Sequence, residues 1–246
     1  MIVFAQLSDI HLDGGPERAA RAARVMAYLN DLAQPLDAVL VTGDIADHGS
    51  PGEYEQAREV LASPHPVFHC PGNHDARTAY RRILLGDEAG GDAPVNQIHR
   101  TEGAVFALCD STIPGRDDGR LADETLAWLD AALAEDAGTP AFVCFHHPPV
   151  RLGSPYVDGI RQFGERRLAA VLARHPQVVA VLCGHAHTPA STVSAGRPLL
   201  VAPGVVSTLV LPWEHGDSVV DHQAPPAVAF HLFDGQRLTT HYRVVP

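Results

Sequence analysis

The chain has 246 residues, 46% hydrophobic and 19% charged, which is ample for a large buried core. Acidic residues outnumber basic ones 29 to 18, for a formal charge of −11. That balance argues against a nucleic acid polymer or an anionic membrane surface as a partner.

The elements can be read in order. Residues 2–7 form an apolar run that predicts a strand, ending in Ser8-Asp9-Ile10-His11. Pro16 suits a first helical position, and Val25, Leu29 and Leu32 continue a helical stripe. Residues 38–42 predict a second strand, closed by Gly43-Asp44, and a turn at Ser50-Pro51-Gly52 leads into a helix over 53–61. The next run, Pro66-Val67-Phe68, stops at Pro71-Gly72 and is followed by Asn73, His74 and Asp75. A helix is expected over 76–85, a Gly/Asp-rich loop over 86–94, and strands over 95–100 and 104–109. Leu126, Leu129 and Leu133 mark a helix over 123–135.

The strand over 141–145 ends in His146-His147-Pro148-Pro149, where proline forbids its continuation. Residues 150–162 read as irregular and 164–174 as helix. The strand over 178–183 then runs into Gly184-His185-Ala186-His187. Beyond 190, short β-branched runs at 199–202, 205–211, 228–233 and 238–245 predict a β-rich, antiparallel tail, with a hairpin at Asp234-Gly235. Residues 212–226 are the most loop-like stretch. Without internal repeats or a linker, the chain reads as one α/β domain spanning 1–246. No run is long enough to span a membrane, and the N-terminus lacks a basic region followed by a long apolar one. Cys70, Cys109, Cys144 and Cys183 are scattered, without a CxxC, and read as buried reduced thiols. A cytoplasmic location is expected.

Five strand ends thus deliver polar residues: Asp9 and His11, Asp44, Asn73 and His74, His146, and His185 and His187. Parallel strands gather such ends at one edge of a sheet, where ligands bind. Together they form a nitrogen and oxygen donor set without thiolate, suited to zinc, manganese or iron. Eight candidates exceed one four-coordinate ion and are natural for two ions that share a carboxylate and clamp a phosphoryl group. Among the other histidines, His147 reads mainly as a turn residue, and His99 and His215 are the best candidates for substrate contact.

Asp9-x-His11, Gly43-Asp44, Gly72-Asn73-His74-Asp75, His146 and Gly184-His185-Ala186-His187 resemble the five-block signature of the calcineurin-like metallophosphoesterases. The acidic residue after Asn-His and the Phe145-His146-His147-Pro148-Pro149 run are similar to the class III cyclic nucleotide phosphodiesterase and glycerophosphodiesterase branch. The resemblance implies a four-layer αββα sandwich of two mixed sheets. It also implies two metal ions (manganese, iron or zinc). One would be held by Asp9, His11, Asp44 and His187, the other by Asp44, Asn73, His146 and His185, with Asp44 bridging. His74 would assist the leaving group, with Asp75 either orienting it or capping the next helix. The implied activity is hydrolysis of small phosphodiesters, cyclic nucleotides or glycerol-type. A phosphomonoesterase or protein phosphatase is the alternative, and a non-catalytic scaffold a remote one. A small-molecule substrate is the implied partner, and a homodimer is left open.

Overall fold

The computed structural model of the chain describes residues 1–214 and 218–246, so His215 lies outside the described residues. The first half contains β1 (Ile2–Leu7), α1 (Pro16–Asn30), β2 (Ala38–Thr42), α2 (Pro51–Val60), β3 (Val67–Cys70), α3 (Arg77–Leu84), β4 (Gln97–Thr101) and β5 (Ala104–Leu108). The second half continues with α4 (Asp123–Glu135), β6 (Ala141–Cys144), α5 (Pro155–Gly159), α6 (Glu165–Leu172), β7 (Val178–Cys183), β8 (Ala190–Ser194) and β9 (Arg197–Val201). It closes with β10 (Thr208–Leu209), β11 (Val220–Asp221), β12 (Ala227–Phe233) and β13 (Leu238–Val244). None of these helices is long and apolar enough to cross a membrane.

Two large mixed sheets result, ordered β13-β12-β1-β2-β3 and β4-β5-β6-β7-β9-β8. Side-chain alternation on β1 explains their stacking. Phe4 faces the second sheet, 5.1 Å from Phe106 and 4.8 Å from Phe142 between ring centroids, in a layer shared with Leu40, Leu108 and Leu182. Ala5 and Leu7 point the other way, into a core with Val25 and Leu29 of α1 and Tyr54 of α2. The second sheet buries its outer face against Leu129 and Leu133 of α4 and Leu168 and Leu172 of α6. The order of layers is helix, sheet, sheet, helix, as the resemblance implies.

Within each sheet the strands that carry the motifs run parallel: β1 with β2 and β2 with β3, then β5 with β6, β6 with β7 and β7 with β9. The motif residues follow the C-terminal ends of these strands. The tail is antiparallel where β12 joins β1 and β13, but β9 runs parallel to β7, unlike the uniformly antiparallel tail expected.

Other departures have local causes. Helix α2 starts at Pro51, inside the expected turn, because the Glu53 carboxylate accepts the Ser50 N–H at 2.9 Å. Strand β8 went unread because its hairpin turns on Ala195-Gly196, both at positive φ (49° and 73°), and alanine gives no turn signal there. Short helix α5 occupies part of the stretch expected to be irregular, starting on Pro155 at its first position. Strand β4 begins at Gln97 because the Val95 N–H donates to Asp110 Oδ2 at 2.9 Å instead of to a strand. The 205–211 run contributes only β10.

One buried polar side chain supplies a stability test. His231 on β12 is fully buried, with Nδ1 2.9 Å from Thr240 Oγ1 and Nε2 3.0 Å from Gln6 Oε1. Burial pushes its imidazole down to about 3 from the ordinary 6.5. The folded chain therefore keeps His231 neutral while the unfolded chain takes up a proton, and this contribution to stability is lost as pH falls from about 6.5 toward 3. His231→Phe should cost less stability at pH 5 than at pH 8, by about 2 kcal/mol. Urea titrations at the two pH values check this, and equal costs would contradict it.

Candidate metal centre

The loops that carry the predicted ligands turn sharply as each strand ends. Among the described residues six non-glycines have positive φ, and five of them are Asp9 (55°), His11 (51°), Asp44 (49°), His185 (69°) and His187 (53°). This left-handed region is uncommon for residues with a Cβ and persists only where surrounding bonds hold it. Those bonds are present. The Asp9 N–H donates to Gly43 O at 3.1 Å, the His11 N–H to Asp44 O at 2.9 Å, and the Gly204 N–H to His187 O at 3.0 Å. The His185 N–H donates to the Asp9 carboxylate at 3.0 Å. Each loop is tied to its neighbour, and each side chain is swung back over the sheet edge.

Glycine is required where these loops cross. A Cβ on Gly72 would overlap Asp44 Oδ1 and its backbone nitrogen. A Cβ on Gly184 would overlap Ser8 Oγ and lie 2.7 Å from the Thr42 carbonyl oxygen.

The predicted ligands converge. Asp9 Oδ1 lies 3.4 Å from His187 Nε2, and His187 Nε2 lies 3.3 Å from His11 Nε2. Asp44 Oδ2 lies 3.5 Å from His11 Nε2 and 3.2 Å from His146 Nε2, placing it between two groups of donors. His185 turns Nδ1 inward, 3.2 Å from His146 Nε2. Asp9, Asp44 and His146 are fully or almost fully buried. Asn73 Oδ1 is buried and has no hydrogen-bond partner among the described residues, as does His185 Nε2.

Outer partners fix which nitrogen faces inward. His146 Nδ1 donates to Thr42 O at 2.7 Å, leaving the Nε2 lone pair for the cluster. His11 Nδ1 is 2.9 Å from Asp47 Oδ1, and His187 Nδ1 is 2.7 Å from Ser207 Oγ. Such outer bonds orient metal-ligating histidines and raise their basicity. Asp47, Ser207 and the Thr42 carbonyl were not singled out from the sequence. Asp47 follows Asp44 by three residues and offered a weak signal, whereas Ser207 and Thr42 become partners only through tertiary contact.

The electrostatics of the cluster pull its histidines in opposite directions. Burial works against a charged His146, yet Asp44 and Asp9 outweigh it and push the imidazole up to about 9. For His11 burial again opposes, and Asp47 and Asp44 raise it. Burial lowers His185, helped by His147 and His146, and lowers His187 despite Asp9. Burial would raise Asp44, but His146 and His11 hold it well below the carboxylate range. Imidazole nitrogens facing one another at 3.2 to 3.3 Å cannot all present lone pairs or all carry protons. Divalent cations resolve this, since they accept every inward lone pair, both carboxylates and the orphaned Asn73 oxygen. The donor set therefore fits metal ions, and it contains no thiolate.

The other residues of the motifs, and His99, take distinct places. His74 is partly exposed and sets Nδ1 2.7 Å from Asp47 O, so Nε2 is its free nitrogen. The Asp75 carboxylate accepts the N–H groups of Gly72 (2.8 Å), Ala46 (3.1 Å) and Ile45 (3.2 Å) and the Tyr54 hydroxyl (3.0 Å). It bonds neither the His74 ring nor the first turn of α3. It clasps the Asn73 loop to the Asp44 loop. Burial and the Asp44 charge raise it to about 6. His147 is buried within its turn, with Nδ1 2.8 Å from Ser111 Oγ and Nε2 3.1 Å from Asp117 O. Both its nitrogens are engaged, so it anchors the loop that carries Asp117. His99 stacks on Phe68 at 4.1 Å, on outer strand β4, and does not line the site.

Above the cluster opens a pocket of about 330 Å³. His11, Asp44, Asn73, His74, His185 and His187 form its floor, and Asp117, Tyr156, Ile160 and Leu209 stand among its walls. Among the described residues no arginine or lysine lines it. Because the motif glycines make room for the ligand loops, Gly184→Ala should yield folded protein carrying less than half the wild-type metal after reconstitution. Elemental analysis checks this, and unchanged metal content would contradict it.

Comparison with known proteins agrees with this geometry. Residues 2–189 match the family model described as calcineurin-like phosphoesterase. The glycerophosphodiester phosphodiesterase GpdQ of Enterobacter lignolyticus is 33% identical, the match covering 98% of this chain and 90% of that protein. The 3′,5′-cyclic adenosine monophosphate phosphodiesterase CpdA of Pseudomonas aeruginosa is 32% identical over 97% of this chain and 88% of its own length. A dimetal phosphatase from Danio rerio has the same fold, with a TM-score of 0.72 at 16% identity over 100% of this chain and 96% of that one. By motif, fold and matched sequence alike, this chain belongs to the calcineurin-like phosphoesterase family.

Proposed function

We propose that the chain, acting as a single domain over 1–246, is a hydrolase of small phosphodiesters that works with two divalent ions. Asp9, His11, Asp44 and His187 would hold one ion, and Asp44, Asn73, His146 and His185 the other. Manganese, iron and zinc all suit this donor set. When bound, the ions supply Lewis acidity: they draw charge from the phosphoryl oxygens and acidify a water.

The observation that carries the diester reading is the pocket lining. It offers His74 and walls that are apolar apart from Asp117, and among the described residues no arginine or lysine. A monoester dianion calls for additional fixed positive charge, whereas a diester brings one negative charge and a second alkyl or nucleoside arm that apolar walls can hold. Relatives named as glycerophosphodiester and cyclic nucleotide phosphodiesterases support the same class.

His74 has the place of a leaving-group assistant. Its Nδ1 is committed to the Asp47 carbonyl, so Nε2 faces the pocket and in the protonated ring gives its proton to the departing alkoxide. Asp75 acts at one remove: by joining the Gly72 amide to those of Ile45 and Ala46, it holds Asn73 beside Asp44. The four buried free cysteines support a reducing, cytoplasmic setting.

Two outcomes follow. His74→Ala should keep its metal content while hydrolysis of bis(p-nitrophenyl) phosphate falls about 10²- to 10⁴-fold; loss of metal in this variant would overturn its non-ligand role. Chelation should abolish turnover and Mn²⁺ restore it, with bis(p-nitrophenyl) phosphate preferred to p-nitrophenyl phosphate. A clear preference for the monoester would replace the diester reading with a phosphomonoesterase.

A further inference from the structure

Beneath the metal centre, the layer between the sheets is mostly aliphatic and aromatic, yet β1 places Gln6 there, fully buried. A buried amide is unfavourable unless each of its polar atoms is matched. Here each is. Gln6 Nε2 donates to Thr42 Oγ1 at 3.1 Å and to the Cys183 carbonyl at 2.9 Å. Because both N–H groups are spent, its Oε1 accepts the His231 Nε2–H at 3.0 Å. The remaining His231 nitrogen then accepts the Thr240 hydroxyl at 2.9 Å. The resulting polar line crosses the first sheet from β13 through β12 and β1 to β2, and its last branch reaches β7 in the second sheet.

The two acceptors of the Gln6 amide have special positions. Thr42 is the last residue of β2, and Cys183 the last of β7. The Thr42 carbonyl takes the Nδ1–H of His146 at 2.7 Å. Cys183 leads directly through Gly184 to His185, whose Nδ1 meets His146 Nε2 at 3.2 Å. One amide therefore joins the two strand ends on which these histidines depend. His11 and His187 take their outer bonds elsewhere, from Asp47 and Ser207.

We propose that Gln6 is a positioning residue for the second cation position, setting the spacing of β2 and β7 and through it the aim of His146 and His185. This rests on the two-ion reading above. Gln6→Met keeps the volume and apolar contacts but removes the amide. It leaves the His231 N–H unpaired, so the paired variant Gln6→Met/His231→Phe removes that donor as well and separates stability from positioning.

The test is calorimetric titration of metal-free protein with Mn²⁺, together with thermal midpoints. His146→Ala identifies which binding step belongs to the second position. In Gln6→Met that step should weaken about 10- to 100-fold while the other is unchanged. In the paired variant the midpoint should recover relative to Gln6→Met while the second step stays weak. Two intact steps in Gln6→Met, equal weakening of both, or recovery of binding along with the midpoint would each overturn the proposal. A wild-type titration with a single step would overturn the two-ion reading and this proposal together.

Discussion

The Asp44 carboxylate is the contact on which the rest of the molecule converges. One oxygen accepts the His74 N–H at 2.9 Å, and the other faces His146 at 3.2 Å and His11 at 3.5 Å. Asp44 belongs to the first sheet and His146 to the second, so this single group spans the seam between them. Burying such a charge is unfavourable unless it is fully surrounded by donors or cations. The backbone carries part of that demand, with Asp9, His11, Asp44, His185 and His187 all held at positive φ. Strain of this kind concentrates at functional sites because the surrounding bonds over-determine it.

The layered core keeps this edge rigid. Phe4, Phe106 and Phe142 interlock between the sheets, and the helices seal the outer faces. The motif strands are short and, apart from the half-buried β3, almost fully buried, so the loops beyond them start from fixed points. The Asp75 clasp, the Thr42 carbonyl and the Gln6 amide extend that rigidity into the site. A site whose supporting bonds are this complete is preorganised, which is what catalysis by charge stabilisation requires.

Much of this was legible from residue order. Apolar runs ended abruptly at Gly43-Asp44, Gly72-Asn73 and Gly184-His185, and at each such end the structure places a loop beside the cluster. The candidate donor types could be read because nitrogen and oxygen donors recurred at strand ends without thiolates. What escaped was whatever depends on contacts between distant segments. Ser207 meets His187 because residues 204–206 bond alongside Ser8, Asp9 and His187, and His231 meets Gln6 because β12 pairs with β1. Asp75 stood in the motif, but three of its four partners, Ile45, Ala46 and Tyr54, come from two other segments, so its clasp could not be read locally. The β8 hairpin escaped for a different reason, since its left-handed Ala195 is a residue that rarely signals a turn.

We propose that this cluster holds two cations sharing Asp44. The most direct measurement is a crystal structure of the manganese-loaded protein with anomalous data collected at the manganese edge. Two anomalous peaks about 3.5–4 Å apart are expected, with Asp44 between them and Asn73 Oδ1 against the one near His146 and His185. A single peak, or a second one that leaves Asn73 Oδ1 without a partner, would contradict it.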